Sequence, residues 1–197
     1  MLKDLLLKNR SYRGYTRRPM TREELTEFVD CARLCPSSVN AQPLRYYLIW
    51  EPEELAKVQP LTRWAKGLPQ ITLPHPGMEP TGFIIICQDL TLDPSLARYQ
   101  RDVGIVAQTM LLAAAERGLG GCMIGSFLAG ELQQALNLPD TIAPMLVVAF
   151  GEPAETVVLT QVGPDGSTRY YRDAQDVHYV PKRALEDLIL PKTPGAR

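Results

Sequence analysis

Apolar residues recur at helical spacing along several segments of the chain, and this pattern predicts the helices. A short amphipathic helix is expected over residues 2–8. In the next helix, Thr21 stands three residues before Glu24, which is the spacing of a capping box, and apolar positions then repeat up to Cys35. The longest helix is expected from Leu96 to Arg117, and its alanine-rich middle indicates close packing against another helix.

Uninterrupted apolar runs predict strands that are buried on both faces of a sheet. Such runs occupy residues 83–87 and 145–150, and a further strand is expected over 46–50. Residues 156–162 and 167–171 flank a Gly-Pro-Asp-Gly turn and are typical of a hairpin. The chain therefore mixes helices with strands, and it shows no internal repeat.

Shorter helices and one long loop account for most of the rest. Helices are expected over 52–67, over 129–138 and, opened by a proline, over 182–190. Residues 68–82 contain four prolines and two glycines. We expect them to form a loop of the kind that covers or lines a site.

Composition and charge indicate an ordinary soluble protein. Of the 197 residues, 45% are apolar and 22% are charged, and the formal net charge is −1, so nothing favours a nucleic-acid partner. No apolar run approaches the roughly 20 residues that a membrane helix needs, and the charged start does not resemble a secretory signal. We therefore expect a cytoplasmic protein with a single domain over 1–190 and a disordered tail over 191–197.

The cysteines and histidines do not form a metal-ligand pattern. Cys31 and Cys35 lie four residues apart and could share a helix face, but the other two cysteines are isolated in the sequence. We interpret all four as small core residues and expect no metal site. His75 lies between prolines and is expected in a loop, and His178 is expected to be a structural residue rather than a base.

Residues 36–43 form a polar stretch, Pro-Ser-Ser-Val-Asn-Ala-Gln-Pro, between a predicted helix and a predicted strand. Pro36 ends the helix and Pro43 fixes the exit. Two hydroxyls and two amides are thus held in a confined space. The polar stretch is either an ordinary connection or the rim of a pocket that grips a planar ligand rich in hydrogen-bonding groups.

Two further motifs could carry ligand chemistry. In Arg10-Ser11-Tyr12-Arg13, arginine forks match phosphate oxygens and the serine adds a donor, although a solvated basic turn is the alternative. The glycine-rich residues 118–125 follow a helix rather than a strand, so they do not match a dinucleotide-binding loop. Their glycines are expected to let the backbone approach a flat ligand or a neighbouring strand.

Taken together, these motifs resemble those of the FMN-dependent nitroreductase family, and the resemblance covers nearly the whole chain. The features that carry it are Arg10-Ser11-Tyr12-Arg13, the polar stretch, residues 118–125, and a C-terminal segment with Tyr170-Tyr171-Arg172-Asp173 and His178-Tyr179-Val180-Pro181-Lys182-Arg183. Their order and separations match the family. The combination is more specific than any one motif.

The resemblance implies a fold and an assembly. We expect an α+β fold with a central, mostly antiparallel sheet surrounded by helices. Two chains would form an intertwined homodimer in which a C-terminal arm reaches onto the partner. FMN would lie at the subunit interface, so each site would draw on both chains.

The resemblance also implies which residues bind FMN. Arg10, Ser11 and Arg13 would hold the phosphate, the ribityl chain and the pyrimidine edge, and Arg172 would be a second phosphate clamp. The residues expected to reach the flavin from the other subunit are Pro36, Ser37, Ser38 and Asn40, and Gln42 corresponds to a family position near the flavin. The backbone groups expected beside flavin N5 and O4 belong to Ile124, Gly125 and Ser126.

The activity implied is hydride transfer from NADH or NADPH, through flavin N5, to a nitroaromatic, a quinone or another small electrophile, with ping-pong kinetics. Because the flavin performs the chemistry, no catalytic side chain is expected, and we identify no Ser-His-Asp or Cys-His arrangement. The alternatives are a flavin enzyme of different chemistry, such as flavin destruction or reductive dehalogenation, and an FMN-binding sensory or storage module.

Three features depart from the family pattern. Asn9 stands where many relatives carry a basic residue, and Leu44 stands where tryptophan often follows Gln-Pro. Residues 123–126 contain no acidic residue, unlike the corresponding loop of some bacterial nitroreductases. These differences bear on phosphate affinity, on the bulk of the pocket wall and on the identity of the electron acceptor.

Overall fold

A computed structural model describes residues 1–190, and the predicted tail over 191–197 lies outside the described residues. The helices are α1 (Leu2–Lys8), α2 (Arg22–Ala32), α3 (Pro52–Val58), α4 (Gln100–Glu116) and α5 (Ala129–Ala135). The strands are β1 (Leu44–Ile49), β2 (Gly82–Asp89), β3 (Gly120–Ile124), β4 (Ile142–Gly151), β5 (Val157–Gln161), β6 (Tyr171–Arg172) and β7 (His178–Lys182).

Four antiparallel strands form the central sheet in the order β1-β2-β4-β3. The two middle strands carry the uninterrupted apolar runs because both of their faces are covered. Along β2, Ile84 and Ile86 pack with α2 and α4, whereas Phe83 and Ile85 point to the opposite face, towards α3 and α5. This arrangement confirms the expected α+β fold with an antiparallel sheet surrounded by helices.

The second sheet has the order β5-β7-β6 and shows that the hairpin predicted over 156–171 is wrong. β5 pairs in parallel with β7, and the predicted second strand of the hairpin is reduced to the two residues of β6. The last helix predicted over 182–190 is also wrong, because Lys182 ends β7 and only a short 3-10 turn follows at Glu186–Leu188. Pairing with a distant segment outweighs local propensity here.

Four helices are shorter than their apolar periodicity predicts, and the first of them, α2, ends at Ala32, three residues before Cys35. α3 ends at Val58, because Pro60 has no N–H to continue it. α4 begins at Gln100, four residues later than predicted, because the Asp93 carboxylate accepts hydrogen bonds from Ser95, Arg98 and Tyr99 and holds this segment in a turn. α5 ends three residues early. No helix in the described part of the chain is both long enough and apolar enough to cross a bilayer.

Candidate functional site

The N-terminal arginines line a cleft of about 410 Å³ between α1, α4 and the second sheet, which we call the arginine cleft. Its polar lining consists of Asn9, Arg10, Ser11, Arg13, Gln108, Tyr170, His178 and Lys182. Its apolar lining consists of Leu6, Leu111, Met123, Val157 and Val180. Among these residues are three positively charged side chains and no carboxylate, so the cleft suits an anion.

The glycine-rich strand β3 holds residues 10–13, which we call the arginine segment, in place. Ser11 lies beside Gly121 in a short parallel bridge, and the Tyr12 N–H donates to the Gly121 carbonyl (3.1 Å). A Cβ at Gly120 would collide with the Tyr12 ring, and a Cβ at Gly121 would collide with the Ala149 carbonyl on β4. The predicted close approach to a neighbouring strand is thus confirmed, and it is what positions the arginines.

The guanidinium groups of Arg10 and Arg13 form no ion pair with a carboxylate of the described residues. Arg10 Nη2 donates to the Leu6 carbonyl (2.6 Å), while its Nε is buried without a hydrogen-bond partner. Burial lowers the pKa of Arg10 from its ordinary value. Arg13 Nη1 donates to the Ser11 carbonyl (3.2 Å), and its guanidinium lies 5.2 Å from the centre of the Tyr170 ring. Both positive charges are therefore available to an anionic ligand.

His178, which lines the cleft, contacts Arg13 through its ring. Only 1% of its surface is exposed, and burial, together with the charges of Arg13 and Arg172, lowers the pKa of His178 to about 4. Its Nε2 lies 3.3 Å from Arg13 Nη1, and because a guanidinium only donates, the neutral imidazole accepts. The histidine stands in β7 rather than before a helix, and it orients Arg13.

Lys182 lines the cleft, a role that the helix predicted over 182–190 does not indicate. Alternate residues of a strand point the same way, so His178, Val180 and Lys182 of β7 share the face that lines the cleft. The period-two spacing of these residues was the available signal. Gln108 of α4, which also lines the cleft, has no comparable signal in the sequence.

Arg172 does not line the arginine cleft. Its side chain is 1% exposed and forms ion pairs with Glu155 and with Asp176, the latter at 2.9 Å. The Asp176 carboxylate in turn lies 3.0 Å from Nε2 of His75, which is in the predicted loop over 68–82. Both terminal nitrogens of Arg172 are engaged, and its Nε is buried without a hydrogen-bond partner among the described residues, so the structure does not present Arg172 to the cleft as the phosphate clamp that the resemblance implies.

The polar stretch lies on a different surface and shares no lining residue with the arginine cleft. Asp102, in the first turn of α4, holds it in place. The Asp102 carboxylate accepts hydrogen bonds from the Ser37 hydroxyl (2.7 Å) and the Ser38 N–H (2.9 Å). Ser37 Oγ also accepts from the Gln42 N–H (3.1 Å). A small cleft of about 220 Å³ is bordered by Pro36, Ser37, Gln42 and Asp102.

The outer part of the polar stretch is exposed and conformationally unusual. Val39, Asn40 and Gln42 have positive φ angles of 48°, 55° and 48°. This region is costly for a β-branched residue such as Val39, which is nevertheless 77% exposed. Gln42 Nε2 donates to Asn40 Oδ1 (3.1 Å), so the two amides form one outward-facing unit.

Ile124, Gly125 and Ser126 lie where β3 ends, directly after Met123 of the arginine cleft. Ile124 is buried, whereas Gly125 is exposed, and a Cβ at Gly125 would meet no atom within 4 Å. The Ser126 carbonyl accepts a hydrogen bond from the Arg63 N–H (2.8 Å). The backbone at Gly125 is thus open to a ligand.

The described residues contain no group of three or more His, Cys, Asp or Glu side chains that could hold a metal ion. All four cysteines are free thiols. Cys35 Sγ donates to Thr109 Oγ1 (3.1 Å), and burial raises the pKa of Cys87 to about 12 and that of Cys122 to about 11. The buried thiols of Cys87 and Cys122 are therefore poor ligands and nucleophiles at neutral pH.

The family model described as "Nitroreductase family" matches residues 6–152, which is most of the chain. The chain belongs to the nitroreductase family. It is 26% identical over 160 residues to a protein of Archaeoglobus fulgidus provisionally named NADH dehydrogenase/NAD(P)H nitroreductase, covering 77% of this chain and 84% of the relative. It is 27% identical over 173 residues to the FMN reductase (NADPH) of Bacillus subtilis, covering 77% of this chain and 65% of the relative.

Solved structures of other nitroreductase family proteins share the fold. One from Clostridium difficile 630 has a TM-score of 0.61 at 25% identity and covers 77% of this chain and 84% of its own. Another, from Streptococcus pneumoniae, has a TM-score of 0.65 at 18% identity and covers 84% of this chain and 96% of its own. These likenesses support the nitroreductase fold predicted from the sequence.

The nitroreductase match ends before the second sheet. Residues 6–152 include the arginine segment, the polar stretch and Ile124–Ser126. The cleft residues that lie beyond the match are Val157, Tyr170, His178, Val180 and Lys182. Their place in the cleft rests on the geometry of this chain alone.

Proposed function

We propose that this nitroreductase-family protein is an NAD(P)H-dependent flavin oxidoreductase that binds the phosphate of FMN in the arginine cleft. The observation that carries the proposal is the grouping of Arg10, Arg13 and Lys182 in a cleft whose lining contains no carboxylate. Arginine forks and a lysine ammonium bind phosphate oxygens through charge-assisted hydrogen bonds. Relatives named FMN reductase (NADPH), from Bacillus subtilis, and NADPH-flavin oxidoreductase, from Vibrio harveyi, support the class of reaction.

The cleft also fits FMN in size and polarity. Its volume of about 410 Å³ falls within the roughly 300–1,000 Å³ that is typical of small-molecule sites. Leu111 and Met123 supply apolar contacts for a ring or a carbon chain, and Ser11 and Gln108 supply polar ones. The buried Nε of Arg10 is a donor that a ligand oxygen would satisfy.

The chain's own groups would bind and orient the cofactor rather than react. Arg10, Arg13 and Lys182 would fix the phosphate, and His178 would keep Arg13 in place by accepting its hydrogen bond. The exposed backbone at Gly125, flanked by Ile124 and Ser126, would lie beside the polar edge of the ring. FMN, when bound, supplies hydride acceptance and donation, so no protein side chain has to act as acid or nucleophile.

We further propose that a second copy of the chain completes each site. The outward-facing amides of Asn40 and Gln42 share no cleft with the arginines, which favours their acting on the partner's ligand together with the serines of the polar stretch. Val39 and Ile105 of α4 expose 77% and 39% of their surfaces, which a partner would cover. The exposed apolar residues of the proposed C-terminal arm are Leu185, Leu188, Ile189 and Leu190.

In this proposal a nitroaromatic, a quinone or another small electrophile follows the nicotinamide into the same site, which gives ping-pong kinetics. The identity of the electron acceptor is the least specific part of this proposal, because neither the fold nor the family determines which compound is reduced. A cytoplasmic location and a single domain over residues 1–190 remain predictions. The competing interpretation is an FMN-binding module in which the flavin is a ligand only.

The test starts from the purified protein under anaerobic conditions. We expect it to carry or take up FMN, seen as flavin absorbance, and to lose that absorbance when NADH or NADPH is added. Nitroaromatics, quinones and other small electrophiles are then added in turn, and a compound that acts as electron acceptor restores the flavin absorbance. A protein that binds FMN but is not bleached by either nicotinamide would favour the binding module, and a protein that cannot be reconstituted with FMN would contradict both interpretations.

A further inference from the structure

A buried ion pair lies directly behind the arginine cleft. One oxygen of the Glu155 carboxylate accepts a hydrogen bond from the Arg13 backbone N–H, and the other accepts one from Arg172 Nη2. The side chains of Glu155 and Arg172 are only 3% and 1% exposed. Glu155 therefore touches the backbone of a cleft residue, while neither Glu155 nor Arg172 lines the cleft.

The position of Glu155 poses an electrostatic problem for anion binding. A carboxylate in hydrogen-bond contact with Arg13 repels an anion held by that same residue, and burial weakens the screening by water. Arg172 offsets this negative charge, and its remaining terminal nitrogen is held by Asp176 at 2.9 Å. The charge of Arg172 also acts within the cleft, because it contributes, after burial and Arg13, to the lowered pKa of His178.

We infer that Glu155 and Arg172 are a positioning pair for the anion site: Glu155 fixes the backbone of Arg13, and Arg172 neutralises Glu155 without touching the ligand. This inference rests on the proposed phosphate site. It gives Arg172 an indirect role in place of the direct phosphate clamp that the family resemblance implies. The two roles make opposite predictions for a double variant.

The experiment compares Arg172→Met with Arg172→Met/Glu155→Gln. Dissociation constants for FMN and riboflavin are measured for each, and their ratio isolates the phosphate because riboflavin lacks it. Arg172→Met leaves Glu155 as an unpaired buried charge beside the cleft, so we expect the preference for FMN to fall by about tenfold or more. The second substitution removes that charge and keeps an acceptor for the Arg13 N–H, so the preference should return to within about threefold of the wild type.

A direct clamp predicts no such recovery, because the double variant still lacks the guanidinium. An FMN preference that stays as low in the double variant as in Arg172→Met would therefore overturn the inference. Arg98→Met and Arg98→Met/Asp93→Asn are the controls, since neither residue of that ion pair lines the cleft, and both should keep the wild-type ratio.

Removing one partner of a buried ion pair can prevent folding, whereas removing both is better tolerated. If Arg172→Met does not fold, the double variant alone decides between the two roles: near-wild-type FMN preference supports the positioning pair, and a loss of about tenfold or more contradicts it. A wild-type protein that binds FMN no better than riboflavin would instead overturn the proposed phosphate site itself, so the two failures are distinguishable.

Discussion

The arginine cleft and the polar stretch arise from the same kind of sequence signal, a short run of polar side chains, but they fold into opposite environments. Arg10 and Arg13 line a concave surface and meet no carboxylate of the described chain through their side chains. In the polar stretch, the hydroxyl of Ser37 and the N–H of Ser38 are already engaged by Asp102. Binding capacity thus depends on which donors remain after the chain has satisfied its own hydrogen bonds.

The two regions are also held by different neighbours, so each can be perturbed without the other. The arginine segment lies against the glycines of β3, whereas the polar stretch is hydrogen-bonded to one carboxylate of α4, that of Asp102. The predictions below run from the largest expected effect to the smallest. Each is designed to separate the two regions or to show that they are not separate.

Gly121→Ala is expected to have the largest effect, and it acts on the arginine cleft. Its Cβ would meet the Ala149 carbonyl oxygen, a backbone atom, so β3 has to shift and carry Ser11 with it. We expect the free energy of unfolding, measured with urea, to fall by about 3 kcal/mol. Gly125→Ala is the matched control, because a Cβ there meets nothing within 4 Å. Equal losses in both variants would contradict this explanation of the glycine-rich strand.

Asp102→Ala perturbs the polar stretch instead. It leaves the Ser37 hydroxyl and the Ser38 N–H without their acceptor, and the unusual backbone of residues 39–42 loses its support. We expect a loss of about 2 kcal/mol in the free energy of unfolding. FMN and riboflavin affinities should fall together, since the phosphate is bound elsewhere. The control is Asp140→Ala, an exposed site, and a phosphate-selective loss in Asp102→Ala would show that the two regions are not independent.

The third prediction concerns pH and returns to the arginine cleft. The pKa of His178 in the folded protein, about 4, lies below its ordinary 6.5, so the unfolded chain binds the proton first as the pH falls. The stabilisation that depends on neutral His178 is complete above about pH 6.5 and is lost as the pH falls towards 4.

This pH effect is measured as the difference between wild type and His178→Asn, because the titration of other groups then cancels. Between pH 7 and pH 4.5 the free energy of unfolding of the wild type should fall by about 2 kcal/mol more than that of the variant. Parallel stability curves for the two proteins would mean that His178 is not held neutral against Arg13. No corresponding difference is expected from the polar stretch, which contains no histidine.

Features that depend on neighbours in the sequence could be predicted well. The capping box at Thr21 is confirmed, since Thr21 Oγ1 accepts from the Glu24 N–H (3.2 Å) and the Glu24 carboxylate accepts from the Thr21 N–H (3.0 Å). The two central strands are confirmed for a similar reason, because a continuous apolar run has few stable environments other than the middle of a sheet. The candidate ligand chemistry of Arg10 and Arg13 is visible within four positions and both residues line the cleft, but their contact with a phosphate stays a prediction.

Features that depend on distant partners could not be predicted in this way. β5 and β7 pair across residues that lie about twenty positions apart, so neither the false hairpin nor the place of Lys182 was visible locally. In the sequence, Asp102 is an ordinary carboxylate near the start of a helix. Its role in holding Ser37 and Ser38 is visible only in the folded chain. Likewise, Arg172 has the chemistry of a phosphate ligand, and only the fold shows that its two terminal nitrogens form ion pairs with Glu155 and Asp176.

The most direct test of the shared site is complementation between two variants, Arg10→Ala and Asn40→Ala/Gln42→Ala, co-expressed with different tags so that mixed dimers can be isolated. Each homodimer should bind FMN weakly, because every site lacks one contribution. A mixed dimer contains one site with an intact arginine cleft and an intact polar stretch, so it should bind one FMN per two chains with wild-type affinity. Mixed dimers that bind no better than their parents, or a protein that never dimerises, would contradict a flavin held jointly by two chains.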